Sequence, residues 1–413
     1  MQPHARNDSV FYGWAVVAAA FSITFVGFGS AYTFSAFVEP LQRDLGASRG
    51  SVALVFSLAG FLYFGLGIVS GPLADRFGAR RLAMLGMLFV GIGLALASQA
   101  RSIVEVYAAY SIGIGLGVGL AYVPAIGTVQ RWFVARRGLA SGLAVSGIGV
   151  GTLVMPPVAT WLIACLGWRD AYLVLGLLAA LVGVAMSALL VNDPRDRGTG
   201  PDGTTVDTRA TAKPASGATV AEAVRTSQFI GLYAACLLAA FGVFVPFVHL
   251  VPYALDHGLD QASAVLLLGT IGIGSTLGRF LLGSLADRMG RQVFLVAMFA
   301  GMAASLFIWA FAGSFWPLAI FALVFGVFYG GWVAILPAVV MDYFGGRHVS
   351  GIIGALYTSV AIGTLIGPSA AGFAFDFSHS YTLPILAGAA ANILAAIVAI
   401  ATVRAPRHAI VAS

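Results

Sequence analysis

Of 413 residues, 60% are hydrophobic and 9% charged, against roughly a quarter charged in an ordinary soluble domain. No water-facing shell can be built from that composition. The formal charge of +6 points to nucleic acid only if the cations cluster on one surface, and they alternate along the chain between apolar runs of about 20 residues, the length that crosses roughly 30 Å of hydrocarbon as a helix.

The first run begins at Phe11 and continues to about Val38. It exceeds the roughly 7 to 15 residues of a signal-peptide core and lacks a small-residue cleavage site, so it reads as a retained helix. Taken in order, the predicted spans are 13–38, 50–74, 82–99, 103–130, 139–165, 170–191, 228–255, 262–286, 292–313, 316–342, 350–374 and 381–403. Between the sixth and seventh lies a polar stretch rich in Gly, Thr, Pro and Asp, which cannot bury enough apolar surface to fold by itself. The expected organisation is therefore a six-helix bundle over 1–191, a flexible linker over 192–227 and a second six-helix bundle over 228–413. Loops on the side of the termini hold 17 Lys or Arg, among them Arg76, Arg80, Arg81, Arg131, Arg136 and Arg137; the opposite loops hold Arg43, Arg49, Arg101 and Arg169. By the positive-inside rule both termini are cytoplasmic, in keeping with an even number of spans. Cys165 and Cys236 lie within or at the end of apolar runs and read as small hydrophobes.

The halves repeat. GPLADRFGARR, from Gly71 to Arg81, recurs as GSLADRMGRQ, from Gly283 to Gln292, which sets Asp75 and Asp287 212 residues apart. The same offset relates Gly151-Thr152-Leu153 to Gly363-Thr364-Leu365 and Pro156 to Pro368. Two motifs at one offset indicate duplication. The glycines before Pro156-Pro157 and before Pro368 suggest packing faces and proline hinges. Asp75 ends a helix whose own dipole disfavours it, so it needs a cation or another helix's amino terminus as partner.

One full charge remains inside a span: Arg279, eight residues before Asp287 and so about 12 Å from the helix end at about 1.5 Å per residue. Burying it costs several kcal/mol unless it faces a cavity or a partner, and no Asp or Glu lies at comparable depth. Its counterpart 212 residues earlier is Gly67, an asymmetry that favours function. A lone guanidinium in apolar surroundings suits a small organic anion, because its donor fork matches a carboxylate. Ser275 lies one turn away on the same face. His249, on the seventh span, could carry a proton, bond a substrate hydroxyl or serve a structural role. Tyr122 and Tyr329 could supply hydroxyls or simply pack. No phosphate loop, metal-ligand cluster or paired nucleophile and base is present, so no enzyme and no cofactor is expected.

The G-x-L-A-D-R-x-G-x-R loops resemble the signature of the major facilitator superfamily. That resemblance implies an all-α membrane protein of twelve transmembrane helices in two pseudo-symmetric bundles, working as a monomer, with Asp75, Arg76, Arg80, Asp287 and Arg288 as a conformational latch reaching toward Ser350. The opening YGWAVVAAAF, the segment VHLVPYALDHG and the arginine of the eighth span are similar to the monocarboxylate transporter family and its relative, the oxalate–formate antiporter. The resemblance implies that Arg279 binds a substrate carboxylate, and bacterial lactate transporters are similar at His249, Tyr122 and Tyr329. Two departures stand out. The antiporter's second cation falls on Val360, and the sole lysine is Lys213 in the linker. Where animal relatives carry an aspartate one turn before the arginine, this chain has Ser275, and its first span has no lysine. The expectation is a secondary transporter of small monocarboxylates in a bacterial inner membrane, coupled to protons. The alternatives are simple exchange, a facilitator for a larger amphipathic compound, and a non-transporting sensor on the same scaffold.

Overall fold

The computed structural model describes residues 11–204, 217–282, 285, 289–345 and 348–402. Counting one bent pair as a single span, twelve helices among them are long and apolar enough to cross a membrane. They are α1 (Gly13–Leu45), α2 (Arg49–Gly65 continuing as Gly67–Phe77), α3 (Ala79–Ala97), α4 (Ile103–Trp132), α5 (Arg137–Leu166), α6 (Trp168–Ser187), α7 (Ser227–Asp256), α8 (Gln261–Leu281), α9 (Arg291–Ala310), α10 (Phe315–Phe344), α11 (Val349–Ser378) and α12 (Thr382–Thr402). Side chains exposed on this bundle are largely apolar, such as Leu181, Trp161 and Ile400, as contact with lipid tails requires.

α1 outruns its expected end because Phe34–Leu45 keeps one apolar stripe: Phe37, Val38 and Leu41 are buried while Glu39 and Arg43 face outward. Breaks fall elsewhere than the prolines suggested. α5 and α11 run unbroken for 30 residues each through Pro156, Pro157 and Pro368. The chain instead breaks at Thr33 in α1 and Phe244 in α7, and bends by 43° within α2. Neighbouring helices over-determine the path, and the glycines near those prolines serve packing: Gly147 and Gly151 meet α1, as Gly363 and Gly367 meet α7. Gly78 and Gly290, the equivalent glycines of the two signature loops, have φ of +90° and +82°, a conformation open to glycine and strained for other residues.

Several pairings of the first half recur in the second. α1 packs on α5 and α6 as α7 packs on α11 and α12, and α3 packs on α4 and α6 as α9 packs on α10 and α12. The halves meet along α2 with α11, α5 with α8, and the distal parts of α1 and α7. The repeat explains two of these seams. Gly60 of α2 lies against Thr364 of α11, and Gly272 of α8 lies against the backbone of Thr152 and Leu153 in α5. Both threonines turn their hydroxyls back to their own helix, to Ile148 O and Val360 O. A side chain at Gly272 would collide with main chain. Gly272→Leu is therefore expected to destabilise the fold by about 2–3 kcal/mol or more, read as a lowered melting temperature in detergent; an unchanged melt would remove α5–α8 contact from the reasons the halves hold together.

The linker's ends are folded onto the bundles, against the expectation of a wholly flexible segment. Pro194–Arg197 and Pro201–Gly203 form 3-10 turns. Asp202 accepts the N–H groups of Val134 and Ala135 at 2.9 and 2.7 Å. Slight desolvation works against it, yet these backbone donors hold its carboxyl below the ordinary aspartate range. At the other end Ala218 N–H donates to Phe344 O at 2.8 Å, and Thr219 and Glu222 form a capping box. Bundle backbone supplies these partners, which linker composition cannot reveal.

Candidate functional site

α8 is drawn close to α5 and α10 by Gly272, Gly274 and Gly278, which meet main chain of those helices. Arg279 is thereby held in the interior, 5% exposed. Its Nη1 donates to Ser275 Oγ at 2.8 Å, one turn back on α8. Among the described residues, Nε and Nη2 are buried without a hydrogen-bond partner, and no ion pair includes Arg279. Nε and Nη2 form one edge of the guanidinium, the edge that takes both oxygens of a carboxylate side-on. A buried cation in this condition is costly unless an anion arrives.

Tyr329 on α10 links that cation to a central cavity. Its ring lies beneath the guanidinium, 5.9 Å from Cζ to the centroid, and its side chain lines a narrow central cavity. Eight of the twelve lining residues are aromatic, so the wall is apolar with hydroxyls at its edges. Tyr122 lines the cavity too, beside Tyr357. Val360, where a second cation would have stood, is part of the same wall. The cavity belongs to the middle of the bundle and to the terminus-bearing side: Tyr122, Leu336 and Tyr357 occupy the halves of α4, α10 and α11 nearer the termini.

On the opposite side the bundle is shut. Tyr32 of α1 stacks on Phe247 of α7 at 4.5 Å and 26°. Beyond it Arg49, first residue of α2, pairs with Asp256 at the end of α7 through Nη1–Oδ2 and Nη2–Oδ1, the latter 2.7 Å. Its guanidinium lies over the Phe375 ring at 4.1 Å. The N–H groups of Arg49 and Gly50 donate to Asp376 of α11 at 2.9 and 2.8 Å, so a carboxylate of one half caps a helix of the other.

His249 belongs to this closed end and is not brought to the cavity. Nε2 lies 2.8 Å from Pro368 O and Nδ1 3.0 Å from the Tyr381 hydroxyl. A carbonyl only accepts, so Nε2 carries the proton and Nδ1 accepts from Tyr381. Arg49 Nη1 in turn donates to the Tyr381 oxygen at 3.2 Å. The result is a directed chain from Arg49 through Tyr381 and His249 to Pro368.

Of the expected latch, Asp287 and Arg288 lie outside the described residues, as does the side chain of Asp75. Arg80 Nε donates to Leu190 O at 2.8 Å, and the Arg76 guanidinium lies 5.3 Å from the Phe77 ring centre. Arg291 pairs with Asp342 at 2.9 Å, joining α9 to α10 within one half.

Twelve spanning helices in two equivalent bundles around a central cavity define a membrane transporter. The family model of the Major Facilitator Superfamily matches residues 19–292 and 254–413. Monocarboxylate transporter 12-B of Danio rerio is 30% identical over 395 residues, covering 90% of this chain and 83% of that protein. Monocarboxylate transporter 3 of Rattus norvegicus is 31% identical over 379 residues, covering 90% and 76%. In structure, a bacterial homologue of the human lysosomal transporter Spinster, inward-facing and occupied, aligns with a TM-score of 0.68 at 17% identity over 95% of this chain and 97% of that one. The chain belongs to the major facilitator superfamily of transporters, and within it to the monocarboxylate transporter-like family, as a multi-pass membrane protein rather than an enzyme.

Proposed function

We propose that this protein is a secondary active transporter of small monocarboxylates, with lactate, pyruvate and related 2-hydroxy or 2-oxo acids as substrates, working as a monomer by alternating access. The observation that carries the reading is Arg279: a buried guanidinium whose edge, Nε and Nη2, has no hydrogen-bond partner among the described residues. A carboxylate seated there replaces an uncompensated charge by a paired one. Ser275 holds the third nitrogen in place, and Tyr122 and Tyr329 form the wall beside it. Val360 leaves room for an apolar tail where a second cation would have selected a dicarboxylate. The names of the similar transporters agree with this substrate class.

Proton symport is the coupling we propose. His249 is the proton carrier: neutral while Tyr381 and Pro368 hold it, and free to take a proton once the helices that carry those partners move away. Asp75, Arg76, Arg80, Asp287 and Arg288 latch the terminus-bearing side in the opposite state. The excess of cations on that side supports cytoplasmic termini, and the bacterial inner membrane is the location we propose.

The test is uptake of radiolabelled lactate and pyruvate into proteoliposomes, with and without an inward proton gradient. Gradient-driven accumulation of either acid is the expected result; movement of neither under any gradient sinks the assignment. Eight aromatic lining residues favour one second reading, an organic anion with a larger apolar body. Competition by carboxylates of increasing size separates the two, because a site for small acids loses affinity beyond a few carbons.

A further inference from the structure

Tyr32 was one tyrosine of thirteen in the sequence, and the fold gives it a particular place. It ends the first segment of α1, directly before the break at Thr33, and is 0% exposed. Its ring is held by Phe247 of α7, by Phe28 at 5.8 Å and by Phe56 of α2 at 6.1 Å. Only the hydroxyl is left to act, and it lies 3.2 Å from the hydroxyl of Tyr329 across the boundary between the halves.

Two phenols have two protons, and one bond between them uses one. A third phenol, Tyr63, also interacts with the Tyr32 hydroxyl; three phenols hold three protons and the two bonds among them use two, so one O–H of the described group has no acceptor. Tyr32 and Tyr329 both line the cavity, and Tyr329 also lies beneath the Arg279 guanidinium. Two unmet sets of donors therefore meet at one aromatic ring: the Nε and Nη2 edge, and a single phenolic O–H.

We infer that Tyr32 is a specificity-determining residue, which with Tyr329 donates a hydrogen bond to the C2 oxygen of the substrate and so selects 2-hydroxy and 2-oxo acids over plain carboxylates of equal size. This rests on the monocarboxylate reading of Arg279. A hydroxyl and a carbonyl at C2 both accept, so lactate and pyruvate are served alike. Propionate fills the same space but leaves the phenol buried and unmet. That penalty is the means of rejection. Phe247 keeps the hydroxyl in register by fixing the ring, which ties recognition to the closed state of α1 against α7.

The experiment compares lactate, pyruvate and propionate as competitors of labelled lactate uptake in proteoliposomes, for the wild type and Tyr32→Phe. The wild type is expected to prefer lactate over propionate by about tenfold. In Tyr32→Phe, which retains the stacked ring, the ratio falls to within twofold of one, through weaker lactate binding at unchanged propionate affinity. Equal loss of all three acids, or a preserved ratio, overturns the role of Tyr32. A wild type that takes lactate and propionate equally overturns it too while leaving the monocarboxylate reading standing. A wild type that moves none of the three overturns both. Tyr329→Phe, checked for a monodisperse profile, is expected to lower the same ratio, since it removes the other member of the pair.

Discussion

Arg279→Lys is expected to lower the uptake efficiency for lactate at least 100-fold, although the charge is retained. A lysine ammonium is a point donor on a flexible stem and offers no planar edge for two carboxylate oxygens. It also loses the bond to Ser275 that aims the guanidinium. The interaction at stake is buried and charge-assisted, a class whose truncation costs about 3–5 kcal/mol, or roughly two to three and a half powers of ten. The measurement is initial uptake rate against substrate concentration in proteoliposomes, with reconstitution checked by quantified protein. Uptake by the lysine variant within about fivefold of wild type would show that charge alone serves, and with it the argument from the free edge collapses. Ser275→Ala is the milder companion: it frees Nη1 without removing the edge, so affinity falls while transport survives.

Loss of Arg49 should have the second largest effect, on conformation rather than on affinity. In one side chain it pairs with Asp256, donates to Tyr381 and lies over Phe375, while its backbone N–H bonds Asp376. Only the side-chain contacts disappear in Arg49→Ala. Asp256 is then left without its cation, and the stabilisation of the shut end drops by about 2–3 kcal/mol, a shift of roughly 30- to 150-fold in the open-to-shut ratio. The readout is labelling of Ala36→Cys, a buried position on the distal part of α1, by a membrane-impermeant maleimide in a background with Cys165 and Cys236 replaced by serine. The rate should rise at least tenfold in Arg49→Ala, and Arg49→Asp with Asp256→Arg should recover part of the difference. Equal labelling of parent and variant would mean that the aromatic stack of Tyr32 on Phe247 holds the end shut unaided.

These two arginines differ in how far the sequence betrays them. Arg279 stands alone in an apolar run, and lipid makes such a residue conspicuous because burial of a charge needs a reason. Arg49 begins a helix beside polar loop residues, where charges are ordinary. Its partner Asp256 lies 207 positions away, in the second half of the chain. Nothing local joins them. The twelve helices and their duplication were readable for a related reason: hydrocarbon imposes length on every span, and the 212-residue offset shows in motifs that are contiguous. The break at Thr33 was hidden because no Pro or Gly marks it. Prolines misled in α5 and α11, where dense packing keeps the helix straight enough to continue. Tyr32 and Phe247 were lost among many aromatics, since their meaning arises only when α1 and α7 touch.

The directed chain at the shut end has an electrical consequence. A wire that conducts protons needs links able to reverse, each passing a proton forward and then turning back. Here the first member, Arg49, only donates, and the last, Pro368 O, only accepts. Every intermediate proton is thereby pinned in one direction. The closed end is an insulator as well as a wall. A membrane that stores its energy as a proton gradient loses none of it through this protein while the end stays shut, and the same movement of α7, α11 and α12 that admits a solute is the one that ends the insulation.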